Sequence, residues 1–225
     1  MKILITGDVH GNFSALNNLI NKEVPELIIC TGDFGYWPKI PYLESIKNIN
    51  VKRTKIFWIE GNHEDHWSLR EVQSYVLSYR IPVEISHNIF YLSRGTVQKL
   101  SDGRTIMFMG GALSIDKDRR QLGVDWFPEE TISTGDLYSL PNEQIDIIVS
   151  HTAPVEIADV LKGFHNIYDP SEEALSQLFK MYHPPLWFFS HFHKYAEGTF
   201  EQTQWTCLNQ APHQGWWMQL PKRKE

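Results

Sequence analysis

Five times along the chain a short apolar run of strand character stops at a polar, ligand-type residue. Lys2 to Thr6 (KILIT) runs into Gly7-Asp8-Val9-His10, Leu27 to Thr31 (LIICT) into Gly32-Asp33, and Lys55 to Glu60 (KIFWIE) into Gly61-Asn62-His63-Glu64. Ile145 to Ser150 (IDIIVS) stops at His151, and Leu186 to Ser190 (LWFFS) at His191-Phe192-His193. Short apolar runs bounded by turn residues read as buried strands. Between the early runs the period lengthens. Asn12 reads as the N-cap of a helix carrying Phe13, Leu16, Leu19 and Ile20 on one face, stopped by Pro25. Tyr42 to Ile49, Trp67 to Tyr79 and about Pro170 to Met181 read as further helices.

From Ile89 the texture changes. Ile89 to Leu92, Thr96 to Leu100 and Arg104 to Met109 read as consecutive strands, with Asp102-Gly103 as a hairpin turn. Ala196 to Phe200 and Gln204 to Leu208 read as a closing hairpin, and the segment of about 110–141 is too polar and broken for a regular element. Early strand–helix alternation followed by antiparallel pairs predicts an α/β fold with a mixed sheet, or two sheets packed together. At 225 residues the expectation is a single domain over 1–225, with 110–141 as a long loop insert.

In open α/β sheets, ligands bind beyond the carboxyl ends of the strands. Five strands that end in ligand-type residues therefore predict one shared site. Asp8, His10, Asp33, Asn62, His151, His191 and His193 form a mixed oxygen and nitrogen set without thiolate, which suits Mn²⁺, Fe or Zn²⁺ better than Ca²⁺. The set serves two cations only if one carboxylate bridges them. Asp33, between the others in sequence and at the end of its own strand, is the natural bridge.

The formal charge of −6 argues against a protein that coats extended duplex nucleic acid. It leaves room for a small phosphorylated or nucleotide substrate, because divalent cations reverse the sign locally. Two cysteines are too few for a disulfide scaffold. No apolar stretch approaches the ~18 residues that span a bilayer. The chain opens directly on its first strand, so a cytoplasmic setting without membrane contact is expected.

Asp8-x-His10, Gly32-Asp33, Gly61-Asn62-His63-Glu64, His151 and His191-x-His193 together resemble, in order, the signature of the calcineurin-like metallophosphoesterases. The resemblance spans most of the chain. It implies a sandwich of two mixed β-sheets flanked by helices. It also implies that Asp8, His10, Asp33 and His193 hold one metal, and Asp33, Asn62, His151 and His191 a second, with manganese favoured and iron, zinc or magnesium compatible. His63 would be the catalytic histidine, oriented by Glu60, Glu64 or Asp65. Two metals of this kind clamp a phosphoryl oxygen and activate a bridging water for in-line attack on phosphorus.

The chain departs from the protein serine/threonine phosphatase branch, which continues Gly-Asp with an Asp-Arg-Gly element. Here Gly32-Asp33 leads to Phe34-Gly35-Tyr36-Trp37-Pro38, with no phosphate-binding arginine. A wall of Phe34, Tyr36 and Trp37 would favour a flat group such as a nucleobase, although aromatics more often pack locally. The substitute cation is expected from Arg119 or Arg120, with Trp126 shaping the rim. Phosphodiesters are slightly favoured on these grounds. The alternatives are a phosphomonoesterase or protein phosphatase, an enzyme acting on short nucleic-acid ends, and a non-catalytic metal-binding scaffold. His66, His87, His165, His183 and His213 fall outside the ligand pattern and read as surface or structural residues.

Overall fold

The computed structural model describes residues 1–40, 43, 45–75, 80–138, 140–162 and 167–223. The first half comprises β1 (Ile3–Thr6), α1 (Phe13–Glu23), β2 (Leu27–Cys30), β3 (Lys55–Trp58), α2 (His66–Ser74), β4 (Val83–Ser86) and β5 (Ile89–Tyr91). It continues with β6 (Thr96–Lys99), β7 (Thr105–Met109), α3 (Thr134–Leu137), β8 (Ile147–Ser150), α4 (Val155–Lys162) and α5 (Pro170–Tyr182). β9 (Leu186–Phe189), β10 (Ala196–Phe200), β11 (Thr203–Cys207) and β12 (Trp217–Gln219) complete it. The strands form two six-stranded sheets, ordered β12-β1-β2-β3-β5-β4 and β10-β11-β9-β8-β7-β6. In each sheet four parallel strands lie between two antiparallel edge strands.

Strand alternation explains why the central runs are apolar throughout. Ile3, Ile5, Leu27 and Ile29 face Ile106, Phe108, Ile147 and Val149 in a core between the sheets. Their neighbours Leu4, Ile28, Cys30 and Trp58 turn outward onto Phe13, Leu16 and Leu69 of α1 and α2. On the far side Met107, Met109, Ile148 and Phe189 meet Ile157 of α4 and Leu175 and Leu178 of α5. Strands buried on both faces need no polar positions. The fold is thus an α/β sandwich of two mixed sheets flanked by helices.

Asn12 caps α1 as expected, its Oδ1 accepting from Ala15 N at 3.1 Å. The expected helix at Tyr42 to Ile49 is replaced by a 3₁₀ turn over Ile46–Asn48, with residues 41, 42 and 44 outside the described residues. The helix expected to reach Tyr79 is α2, which runs to Ser74; residues 76–79 lie outside the described residues, as does His165. Four elements have no counterpart in the pattern: β4, α3, α4 and β12, of which α3 lies inside the 110–141 segment expected to hold no regular element. Among the described residues no helix is long and apolar enough to cross a membrane.

The polar segment between β7 and β8 is pinned by one buried cation. Arg94, 8% exposed, donates to the carbonyls of Gly110, Glu129, Glu130 and Thr131 at 2.7–3.1 Å. It also pairs with Glu60 Oε1 at 2.9 Å and Asp136 Oδ2 at 3.2 Å. Removing one partner of a buried ion pair leaves the other charge uncompensated, at a cost of about 3–5 kcal/mol. Arg94→Met is expected to lose at least that much, read as a lowered urea midpoint; an unchanged midpoint would contradict the clamp.

Candidate metal centre

Because β1, β2 and β3 are parallel neighbours, their carboxyl ends lie side by side, as do those of β8 and β9. The loops leaving them are knitted together. Val9 N and His10 N both donate to Asp33 O, at 3.0 and 2.6 Å, and Gly11 N donates to Phe34 O at 3.0 Å. Thr31 Oγ1 lies 2.7 Å from Ser190 Oγ, joining the two sheets, and Ser190 N donates to His151 O at 2.9 Å.

Four candidate ligands adopt left-handed backbone: His10 (φ 47°), Asp33 (φ 44°), His191 (φ 66°) and His193 (φ 48°). Such conformations cost non-glycine residues about 1–3 kcal/mol each and cluster at functional sites. Close approach also explains Gly61, where a Cβ would sit 2.0 Å from Asp33 Oδ1 and 2.5 Å from Asp33 N.

All seven candidate ligands converge at this junction. One ligand atom from each of Asp8, His10, Asp33 and His193 lies within 4.8 Å of the others. His193 Nε2 is 3.2 Å from Asp8 Oδ2, and His10 Nε2 is 3.6 Å from Asp33 Oδ2. On the other side of Asp33, His151 Nε2 lies 3.5 Å from Asp33 Oδ1 and 3.1 Å from Asn62 Oδ1. The His191 ring packs edge-on against His151, centroids 5.0 Å apart. His151 Nδ1 donates to Thr31 O at 3.0 Å, which leaves Nε2 facing the centre. Asp8 Oδ2 and Asp33 Oδ2 are buried and, among the described residues, accept no hydrogen bond, an arrangement that a bound cation would satisfy. The donor set fits divalent metal ions.

The Asn62 amide is oriented from behind. Its Nδ2 donates to Ser114 Oγ at 3.0 Å, and that hydroxyl donates to Glu130 Oε2 at 2.8 Å. Glu130 also accepts from Ser114 N at 2.7 Å and Trp126 Nε1 at 3.0 Å. Trp126 therefore acts three hydrogen bonds behind Asn62, through Glu130 and Ser114, and does not line the cavity rim expected of it. Nothing local in Trp126-Phe127-Pro128-Glu129-Glu130 distinguishes Glu130 from Glu129, so Ser114 and Glu130 were invisible in the sequence.

His63 stands half-buried at the mouth. Neither Glu60, Glu64 nor Asp65 hydrogen-bonds its ring. Glu60 pairs with Arg94, and Asp65 caps α2 through Ser68 N at 3.0 Å. Glu64 accepts from Gly35 N at 2.9 Å and Gly61 N at 2.6 Å, tying the β2 and β3 loops together. The partner is instead Arg120, whose Nη1 and Nη2 lie 3.1 and 2.9 Å from His63 Nδ1 and Nε2. Arg120 is held by Asp116 Oδ1 at 2.8 Å, whereas Arg119 is exposed. Phe34 and Tyr36 are buried in the core, Phe34 stacked on Trp58 at 5.0 Å, and Trp37 packs on Phe127 at 6.3 Å. None of the three lines the cavity of about 620 Å³ that opens at Asp33, Asn62, His63, His191 and His193.

The electrostatics follow from crowded charge in a buried place. Burial opposes the charge on His151, but the Asp33 and Asp8 carboxylates overcome it and hold its pKa at about 10. Burial likewise opposes ionisation of Asp33, yet His151 keeps it well below the usual carboxylate range. Burial, reinforced by Arg120 against the pull of Asp33, pushes His63 below the ordinary histidine value. His151 is thus protonated in the metal-free chain near neutral pH, and ligation requires its neutral form. Metal uptake is expected to release at least one proton, because Asp8 also raises the pKa of the candidate ligand His193, and affinity to rise with pH up to about 10. Calorimetry in buffers of different ionisation enthalpy measures the release, and buffer-independent heats would contradict it. By the same linkage the metal-free fold keeps the stability from His151 below about pH 6.5 and loses it as pH rises through about 10.

The family of calcineurin-like phosphoesterases matches residues 1–195, and the chain belongs to it. It is a metal-dependent phosphoesterase. Among solved structures it is similar to a Thermus thermophilus protein at 15% identity, with a TM-score of 0.56 over 93% of this chain and 89% of that one. It is also similar to an archaeal phosphodiesterase (12% identity, TM-score 0.43, 93% and 84% covered). A third similar structure is the phosphopantetheinyl hydrolase of Mycobacterium tuberculosis (15%, 0.47, 97% and 95%). No curated protein sequence matches it.

Proposed function

We propose that the chain, as one phosphoesterase domain, hydrolyses phosphate esters with two divalent ions, manganese favoured, and prefers phosphodiesters. Asp8, His10, Asp33 and His193 would hold one ion, and Asp33, Asn62, His151 and His191 the other. The observation that carries this reading is Asp33 itself, whose Oδ1 faces His151 at 3.5 Å while Oδ2 faces His10 at 3.6 Å. When bound, such ions supply Lewis-acid polarisation of a phosphoryl oxygen and a water of lowered pKa.

The residues contribute the rest. Asn62 offers an amide oxygen, which ligates without adding negative charge. His63 at the mouth delivers a proton to the leaving oxygen. Its lowered pKa leaves the ring neutral at rest, so it takes up that proton when a phosphate anion arrives beside it. Arg120 holds the His63 ring and presents its guanidinium to the phosphate, the role left open by the missing Asp-Arg-Gly element. The diester preference rests on the cavity, whose side beyond His63 is lined by Leu113, Ile115 and Phe192 and offers room for a second ester arm.

With manganese added, bis-p-nitrophenyl phosphate is expected to turn over faster than p-nitrophenyl phosphate. A faster monoester would overturn the diester preference. Inactivity on both with two ions bound would favour a non-catalytic scaffold.

A further inference from the structure

The residues that line the cavity beyond the metal-side set fall into two kinds. Leu113, Ile115, Ile167 and Phe192 are apolar, and Ile115 and Ile167 are 72% and 43% exposed although they border a concavity. The charged residues are already satisfied by the protein. Lys162 Nζ lies 2.6 Å from Glu172 Oε2 and donates to Ile167 O at 3.0 Å. Asp169 accepts from Leu113 N at 3.0 Å and Ser171 N at 2.7 Å, and Asp116 holds Arg120. Among the described residues, this part of the cavity presents apolar surface and no uncommitted charge.

We propose that this apolar part is the subsite for one ester arm of the substrate, and that the arm is uncharged and apolar, aryl or branched alkyl, in a phosphodiester. This rests on the phosphoesterase reading above and names its substrate class. The cavity of about 620 Å³ is continuous with Asp33, Asn62, His63 and His191, so a phosphate at the metal-side residues directs an ester arm onto Ile115 and Ile167. Among the described residues, an arm carrying a second phosphate or an ammonium group would have to compete with the Lys162–Glu172 and Arg120–Asp116 pairs or with the amides that Asp169 accepts. An apolar arm gains by covering the exposed surface of Ile115 and Ile167. The subsite thus differs from the one suggested by Phe34, Tyr36 and Trp37, which pack elsewhere.

The test uses the manganese-loaded full chain and three diesters that share a p-nitrophenolate leaving group. Their second arms are phenyl, methyl and 2-aminoethyl, and each kcat/KM is divided by the uncatalysed rate. The phenyl arm is expected to exceed methyl by about tenfold or more, with aminoethyl slowest. Ile115→Asp and Ile167→Asp should each lower the phenyl-to-methyl ratio by about fivefold or more. Val160→Asp, an exposed α4 position that does not line the cavity, should leave the ratio unchanged. A wild-type ratio near one, or a ratio unmoved in both isoleucine variants, would overturn the subsite. If no diester turns over while two ions are bound, the catalytic reading fails separately. Binding of phenylphosphonate and methylphosphonate then reads the subsite alone: tighter phenyl binding supports it, and equal affinity rejects it.

Discussion

Asp33→Asn is expected to reduce bound metal from two ions per chain towards none, and turnover by about 10³-fold or more. Several kcal/mol of transition-state stabilisation come from such ions, at about 1.4 kcal/mol per factor of ten. The substitution is close to isosteric, so the fold should survive it. The Asp33 backbone carbonyl still accepts from Val9 N and His10 N, and asparagine tolerates the left-handed φ of 44° about as well as aspartate. What changes is charge and polarity. His63 N donates to Asp33 Oδ1 at 2.8 Å, so the amide oxygen should take that place. The NH₂ group then faces His10, where Oδ2 had accepted no hydrogen bond from the described residues. The lost charge also releases His151 from the carboxylate that most strongly holds its proton. Elemental analysis after dialysis decides the matter: two ions still bound would remove Asp33 as the shared ligand.

His63→Ala should give the opposite pattern, with both ions retained and chemistry lost. The bond that places Asp33 comes from the His63 backbone N, which alanine keeps. General acid catalysis contributes about 10²–10⁴-fold, and its worth depends on the leaving group. An alkyl phosphate ester, whose alkoxide needs a proton, should lose turnover across that range. A p-nitrophenyl ester, whose leaving group departs as the anion, should lose far less. Equal losses on both would assign His63 to phosphate binding, and full activity on the alkyl ester would remove the acid role. Arg120 faces both ring nitrogens, so the alanine variant also removes that contact and leaves its guanidinium on Asp116 and Asp125 O.

The strand ends were legible because burial on both faces leaves apolar runs, and the first polar residue after each run is conspicuous. Asp8, Asp33, Asn62, His151 and His191 all follow such runs. The α1 face was equally plain from Phe13, Leu16, Leu19 and Ile20, with Asn12 as a local cap. β12 was not legible: Trp217–Gln219 is short and partly exposed, and is a strand only because β1 offers it an edge. β4 is likewise a partly exposed edge strand, and α4 a short helix that follows Pro154.

By itself, then, the sequence determined which residues end the central strands, and through their types and order the set of candidate metal ligands. Periodicity and strand-end residues are local properties, written wherever the chain is buried or turned. Only the tertiary structure decided what the β7–β8 segment does. Arg94 clamps it from a distant loop, and Glu130 rather than Glu129 supports Asn62 through Ser114. Arg120 rather than Arg119 faces His63, and Ile115 rather than Trp37 lines the cavity. Each choice separates neighbouring or similar residues, and it depends on long-range packing that no local pattern records.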